Sequence, residues 1–290
     1  MWTHLDHTIL AVRDLAAAER TYSRLLGRSA SWRGEHPALG TENVLFRVGE
    51  AYLELLAPAA GGGDWLRERI DARGEGLLGF ALATSDAEAC AKTLAERGLH
   101  PSAPTRGVGR DTESGAFREW QSIFLPPEET RGLLVFGIEH RSAPELLPEV
   151  PPAGPPEAAV HAIDHLVVRT EDPDGAIGFY ADRLGLRLAL DKRFPQWGAR
   201  LVFLRVGHIT VELAAPLEVA ATAAATDHVW GISWRVADAD AARARLAEAG
   251  FDVSPVRKGR RPGTRVFSLR GEPCGVATLL LEPPARAAER

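Results

Sequence analysis

A histidine and a glutamate recur in this chain at matching places. The shift that carries residue 7 onto residue 165 also lays Asp6-His7 on Asp164-His165 and Glu54-Leu55 on Glu212-Leu213. An imidazole and a carboxylate offered to one site can do two kinds of chemistry. They can ligate a divalent metal, or they can act as base and acid, with a partly desolvated glutamate raised toward neutrality. Either use requires His7 and Glu54, and likewise His165 and Glu212, to share one face of the fold.

The same shift superposes Asp14 on Asp172, Tyr22 on Tyr180, Pro37 on Pro195 and Ala57-Pro58 on Ala215-Pro216. A period this long means two homologous domains rather than a solenoid. Between Ser142 and Val160 stand Pro144, Pro148, Pro151, Pro152, Pro155 and Pro156, which read as a semi-rigid spacer near polyproline II. The expected boundaries are therefore a first domain over 1–141, a linker over 142–160, a second domain over 161–284 and a fraying tail over 285–290.

Within each domain the pattern runs strand, helix, then several strands. Leu5–Val12 alternates as a strand, Asp14 caps a helix over Leu15–Leu26, and Gly27 stops it. Val44–Val48 and Tyr52–Leu56 form a hairpin through Gly49-Glu50-Ala51. A second unit follows: strand Gly79–Thr84, cap Asp86, helix Ala87–Arg97, stop Gly98. In the second half it is Gly231–Val236, Asp238, Ala239–Ala249 and Gly250. Four strand–helix–strands modules result.

Composition narrows the partners. A net charge of −5 argues against nucleic acid, and the run Arg257-Lys258-Gly259-Arg260-Arg261 reads as a solvated loop. Cys90 and Cys274 make no disulfide framework or metal motif, and Cys90 reads as a small buried thiol. With no basic-then-apolar leader and no apolar run of membrane-spanning length, the expectation is a cytoplasmic protein, monomer or homodimer, that binds a small molecule and no membrane.

The paired modules, each half opened by Asp-His, and the strand Tyr52-Leu53-Glu54-Leu55-Leu56-Ala57-Pro58 resemble the vicinal oxygen chelate superfamily of glyoxalase, bleomycin-resistance and extradiol dioxygenase proteins. The stretch Leu5–Pro58, with His36-Pro37-Ala38-Leu39-Gly40 within it, is similar to the glyoxalase-like subgroup, as is the final strand Leu134–Glu139. The resemblance implies an α+β fold of four βαβββ modules in two tandem domains. Each has a cup-shaped mixed sheet with helices on its outer face. Strand parity then puts His7, Ile9 and Ala11 in the first cup and His165, Val167, Arg169, Gly231, Ser233 and Arg235 in the second.

By that resemblance the cup holds a divalent metal, Fe, Mn or Zn, and assists a dioxygenase, lyase or isomerase reaction on a vicinally oxygenated or aromatic substrate. The alternative is a metal-free binder that sequesters a drug-like or natural-product ligand. The metal candidates are His165, Glu212, His228 and Glu282; the catalytic candidates are Glu212, His165 and Arg235; the substrate-binding candidates are His7, Glu54, Trp197, Arg169 and Ser233. Metal-dependent relatives carry a second histidine seven residues before the second cap, where this chain has Gly79 and Gly231. Their closing-strand glutamate falls at Phe136 and Leu279, which leaves Glu139 and Glu282 displaced by three. His208 lies about 13 Å along the strand from Glu212, too far to share an ion. Trp32, Trp120, Trp197, Trp230 and Trp234 fall near the cups; Trp230 and Trp234, four apart, are expected to pack together under the helix, and Trp197 either to stack on a planar ligand or to pack on the surface.

Overall fold

The computed structural model describes residues 1–218 and 226–285. The expectation for the tail falls mainly on residues outside that set. The first half runs β1 (Trp2–Ala11), α1 (Leu15–Leu26), β2 (Trp32–His36), β3 (Thr41–Val48), β4 (Ala51–Pro58), α2 (Asp64–Arg73), β5 (Gly76–Thr84), α3 (Ala87–Glu96), β6 (Thr105–Arg110), β7 (Phe117–Phe124) and β8 (Leu134–His140). The second runs β9 (Val160–Arg169), α4 (Pro173–Ile177), β10 (Arg187–Phe194), β11 (Ala199–Val206), β12 (Ile209–Pro216), β13 (His228–Val236), α5 (Ala239–Glu248), β14 (Arg257–Lys258), β15 (Arg265–Ser268) and β16 (Ala277–Glu282). Each half forms one eight-stranded mixed sheet, ordered β2-β3-β4-β1-β5-β8-β7-β6 and β10-β11-β12-β9-β13-β16-β15-β14.

The caps act as their residue types require. The side chains of Asp14, Asp86, Asp172 and Asp238 each accept from a backbone N–H of the first helical turn. Gly27 ends α1 at φ 72°, a left-handed conformation that costs glycine little. The second-half counterpart of α1 breaks down after five residues into a π-helical stretch, Gly178–Arg183, in a segment that carries Gly175 and Gly178.

Parity sorts each strand into two faces. On one side Leu5, Leu10 and Val12 join Tyr22, Leu25, Phe80, Leu166, Val168, Tyr180, Ile232 and Trp234 in a core that both domains share. Ile9 and Ala11 face the other way, as expected for the first cup. The expected hairpin is present, tightened to Gly49-Glu50 between Val48 and Ala51.

The proline-rich connection is fastened rather than free. It forms two short 3₁₀ turns, Pro144–Leu146 and Pro156–Ala158, and buries Leu147. Arg28 spans it, donating to Glu149 and to the Val160 carbonyl, both at 2.6 Å. Arg245 reaches from α5 to the carbonyls of Arg24 and Leu25, at the end of α1 where cations are favoured.

Arg131 makes a third tie. Its Nε donates to Asp227 at 2.9 Å and its Nη1 to Asp172 at 3.2 Å, while the Tyr180 hydroxyl donates to the same Asp227 oxygen at 2.9 Å. The Asp227 side chain is fully buried, so loss of its cation would leave a charge with no adequate solvation. Arg131→Ala is expected to lower unfolding stability by about 3 kcal/mol. Arg13→Ala, which removes an exposed ion pair with Asp71, is expected to change it by less than about 1 kcal/mol. Equal effects in urea unfolding would contradict the assignment.

Candidate active site

Neighbouring residues of a regular strand point to opposite faces, so an aspartate should not reach the histidine that follows it. Here both do. In β1, Leu5 pairs with Leu82 and His7 with Ala81, leaving Asp6 as the extra residue of a β-bulge. In β9, Ile163 pairs with Trp234 and His165 with Ser233, leaving Asp164 extra in the same way. The bulge turns both side chains to the cup. His7 Nδ1 then donates to Asp6 at 2.6 Å, and His165 Nδ1 to Asp164 at 2.7 Å. A carboxylate that holds Nδ1–H fixes the tautomer and presents Nε2 to the cup.

Opposite Nε2 stands the glutamate. His7 Nε2 lies 3.5 Å from Glu54, and His165 Nε2 lies 3.6 Å from Glu212. The expected pairs are therefore assembled in both domains, within charge contact but beyond a good hydrogen bond. Glu54 also accepts from Asn43 Nδ2 at 2.7 Å, and Glu212 from Arg260 at 3.3 Å. His140 extends the first network, its Nε2 donating to Asp6 at 2.7 Å. Burial would raise the Asp6 carboxyl, but bonds from His140 and His7 hold it well below the usual carboxylate range.

The two cups differ at their described rims. In the first, α2 lays Leu66 and Ile70 against Ile9, Ala11, Leu56, Leu78 and Phe136. Its edge strands also meet: Gly34 bridges to Asp111, and the Thr112 amide donates to the Arg33 carbonyl at 2.8 Å. A Cβ on Gly34 would lie 2.5 Å from the Trp32 indole nitrogen, so glycine permits that seam. His7 is sandwiched there, stacked on Tyr52 at 4.5 Å and edge-on to Phe136 at 5.5 Å. The second cup has a different rim. Its edge strand β10 is exposed along nearly its whole length, and Arg260 lies over the exposed Trp197 ring at 4.5 Å, with Phe194 stacked beneath at 4.7 Å.

Across the second cup's floor, the Ser233 hydroxyl lies 2.8 Å from His165 Nε2. Since Nδ1 carries a proton, Ser233 is the donor in that bond. Arg235, a catalytic candidate, is held in an ion pair, donating to Asp164 at 2.6 Å and to the His208 carbonyl. Arg169 lies 3.7 Å over Trp230.

Other expectations need correction. Trp234 is buried under the helix, but Trp230 is not beside it: a second bulge, between Val229 and Gly231, turns Trp230 toward Arg169. Arg260 is an exposed loop residue, as expected, but its guanidinium reaches Glu212 at 3.3 Å. Glu282 is turned to the helix side of the sheet, where it accepts from the Ala239 amide at 2.8 Å and so caps α5. Glu139 does the same for Ala87 of α3. His228 pairs with Arg169, four residues along β9 from His165 and so about 13 Å away.

Each domain therefore offers two facing donors, one imidazole and one carboxylate. The positions across the sheet from the imidazoles are Ala81 and Ser233, followed by Phe136 and Leu279. No group of three or more His, Cys, Asp or Glu among the described residues could hold a metal ion. A catalytic zinc usually has three protein ligands, and the non-haem iron triad has two histidines and a carboxylate, so this donor set does not fit either. A histidine at Gly79 has no room, since its Cβ would lie 1.9 Å from the Leu134 carbonyl oxygen.

Comparison with known proteins agrees with this architecture. The glyoxalase-like domain model matches residues 5–160, more than half of the chain, and the chain belongs to that family. The model described as Glyoxalase/Bleomycin resistance protein/Dioxygenase superfamily matches residues 164–267. Among solved structures, a mutant of 4-hydroxymandelate synthase from Streptomyces coelicolor aligns with TM-score 0.70 and 16% identity, over 99% of this chain and 94% of that one. A hypothetical protein from Staphylococcus aureus aligns with TM-score 0.64 and 13% identity, over 97% and 99%. A xylose isomerase-like TIM barrel/4-hydroxyphenylpyruvate dioxygenase fusion protein aligns with TM-score 0.63 and 16% identity, over all of this chain and 50% of that one. At these identities the likeness is one of fold. No curated protein matches the chain. Among the described residues, no helix is long and apolar enough to cross a membrane.

The Asp164 network has a thermodynamic signature. Burial would raise this carboxyl, but His165 and Arg235 hold it down to about 2 from an ordinary 3.8. A carboxyl lowered on folding stabilises the fold above its unfolded pKa and loses that contribution as pH falls through the folded one. Between pH 5 and pH 2, wild-type stability is expected to fall by about 2 kcal/mol more than that of Asp164→Asn. Urea unfolding at a series of pH values checks this; parallel profiles would contradict it.

Proposed function

We propose that the chain is a small-molecule enzyme whose working cup is the second, and that its chemistry is proton transfer of the lyase or isomerase kind. The observation that carries this reading is the Asp164-held imidazole of His165, whose Nε2 faces Glu212 at 3.6 Å. Glu212 acts as general base toward a carbon or hydroxyl proton and hands that proton to the unprotonated His165 Nε2, 3.6 Å away, which then returns it as the acid. Ser233 orients the substrate through its hydroxyl, and the exposed edge of Trp197 packs against it where it is aromatic. Arg260, paired with Glu212, offsets negative charge that develops on a substrate oxygen. The substrate class remains a vicinally oxygenated or aromatic small molecule. No step passes through a metal, because the donor set falls one ligand short. The first cup, closed at its seam and filled by α2, serves as its structural partner.

A second reading is a binder that sequesters a planar ligand. The stacked Phe194 and Trp197, beneath Lys192 and Arg260, favour it.

The test is a panel of 2-oxo and 2-hydroxycarbonyl compounds in D₂O, followed by proton NMR with protein purified without chelator and with protein stripped by one. At least one compound is expected to exchange or convert equally with both preparations. Glu212→Gln is expected to slow that process by about 100-fold. Loss of the activity on stripping and its return with iron, manganese or zinc would overturn the metal-free mechanism. Saturable binding with no exchange for any compound would leave the binder.

A further inference from the structure

Proton transfer on a bound substrate uses His165 and Glu212 and leaves the Ser233 hydroxyl only a positioning role, although its bond to His165 fits it for more. Asp164, His165 and Ser233 form a continuous chain: Asp164 Oδ2 to His165 Nδ1 at 2.7 Å, then His165 Nε2 to Ser233 Oγ at 2.8 Å. Arg235 fixes the other Asp164 oxygen at 2.6 Å. A hydroxyl bonded to an imidazole, whose far nitrogen is held by a carboxylate, is the geometry that activates a serine nucleophile, and it is recognised by roles rather than by fold. We infer that Ser233 is a nucleophile and that this cup carries acyl-transfer activity toward small aryl esters. This activity goes beyond the proton-transfer reading; the two share the Asp164-held His165, but one needs the Ser233 oxygen as nucleophile and the other needs Glu212 as base.

Position and polarity both select the substrate. Ser233 sits on the cup floor, nearly buried, so the acyl group must be small. The rim above presents Trp197, stacked on Phe194 with Arg260 over the ring, and its exposed edge can meet an aromatic leaving group edge-to-face. Arg260, 3.3 Å from Glu212, supplies a cation at the rim that can balance an oxyanion. In the first step the Ser233 oxygen bonds the acyl carbon and its proton passes to His165 Nε2. The bond to the aryl oxygen then breaks, and the proton moves from His165 to the departing phenoxide. In the second step water gives a proton to His165 and adds to the acyl carbon. The Ser233 ester breaks, the proton returns to Ser233, and a carboxylic acid leaves.

The first cup is an internal control. It repeats the Asp–His unit, but the residue across from His7 is Ala81, with no hydroxyl to activate.

The experiment treats the full chain with an alkyl fluorophosphonate probe and maps the adduct by peptide mass. One adduct per chain is expected, on Ser233. Ser233→Ala should lose it, and hydrolysis of p-nitrophenyl acetate should fall by about 100-fold or more. Ser233→Cys supplies a test independent of that enzyme rate: iodoacetamide should alkylate Cys at this position at least about 10-fold faster than in the Ser233→Cys, His165→Gln double variant. No adduct on Ser233, or equal ester hydrolysis by wild type and Ser233→Ala, would overturn the inference. Neither result would bear on deuterium exchange that depends on Glu212.

Discussion

One extra residue in each of two strands underlies the chemistry of this protein. Strand geometry keeps adjacent side chains on opposite faces, so an Asp-His dipeptide in a regular strand would send the imidazole to the cup and the carboxylate to the core. A charged carboxylate among Leu, Phe and Trp side chains would be strongly destabilising. The bulges at Asp6 and Asp164 remove that conflict and create the site in the same stroke. The carboxylate gains the imidazole as its hydrogen-bond partner, and the imidazole gains a fixed direction. Everything proposed for His165 follows from where its Nε2 points.

From this shared unit the two cups diverge. In the first, the imidazole lies between Tyr52 and Phe136 under the apolar side of α2, and the sheet edges are joined through Gly34 and Asp111. In the second, the same unit faces a serine rather than an alanine, and a mobile-length arginine, Arg260, spans from Glu212 to Trp197. The shared apolar core and the arginines Arg28, Arg131 and Arg245 hold the halves together.

Much of this was legible in the residues. The repeat located the His/Glu pairs, aspartate caps and glycine stops marked three of the helices, and alternation placed Ile9, Ala11 and Ser233 on the cup side. The same alternation, applied to β16, would have sent Glu282 to the helix face with Leu280, since both share parity. The bulges were not legible, because an inserted residue in a strand leaves no periodic mark. Spacing alone therefore makes Trp230 a companion of Trp234, and nothing in the sequence marks the roles of Asp6 and Asp164. Helix α2 was also missed, although Leu66 and Ile70 stand four apart after Gly63 and show the spacing of a short apolar stripe. Arg260 lay in a basic run, and only the curl of the sheet brings such a run over a carboxylate on the far side.

The account turns on the tautomer of His165. Long-range proton–nitrogen NMR of the imidazole at neutral pH measures it directly. The structure predicts a proton on Nδ1, bonded to Asp164 and shifted far downfield, with Nε2 unprotonated and accepting from Ser233. A neutral ring with its proton on Nε2, unchanged by Asp164→Asn, would contradict it.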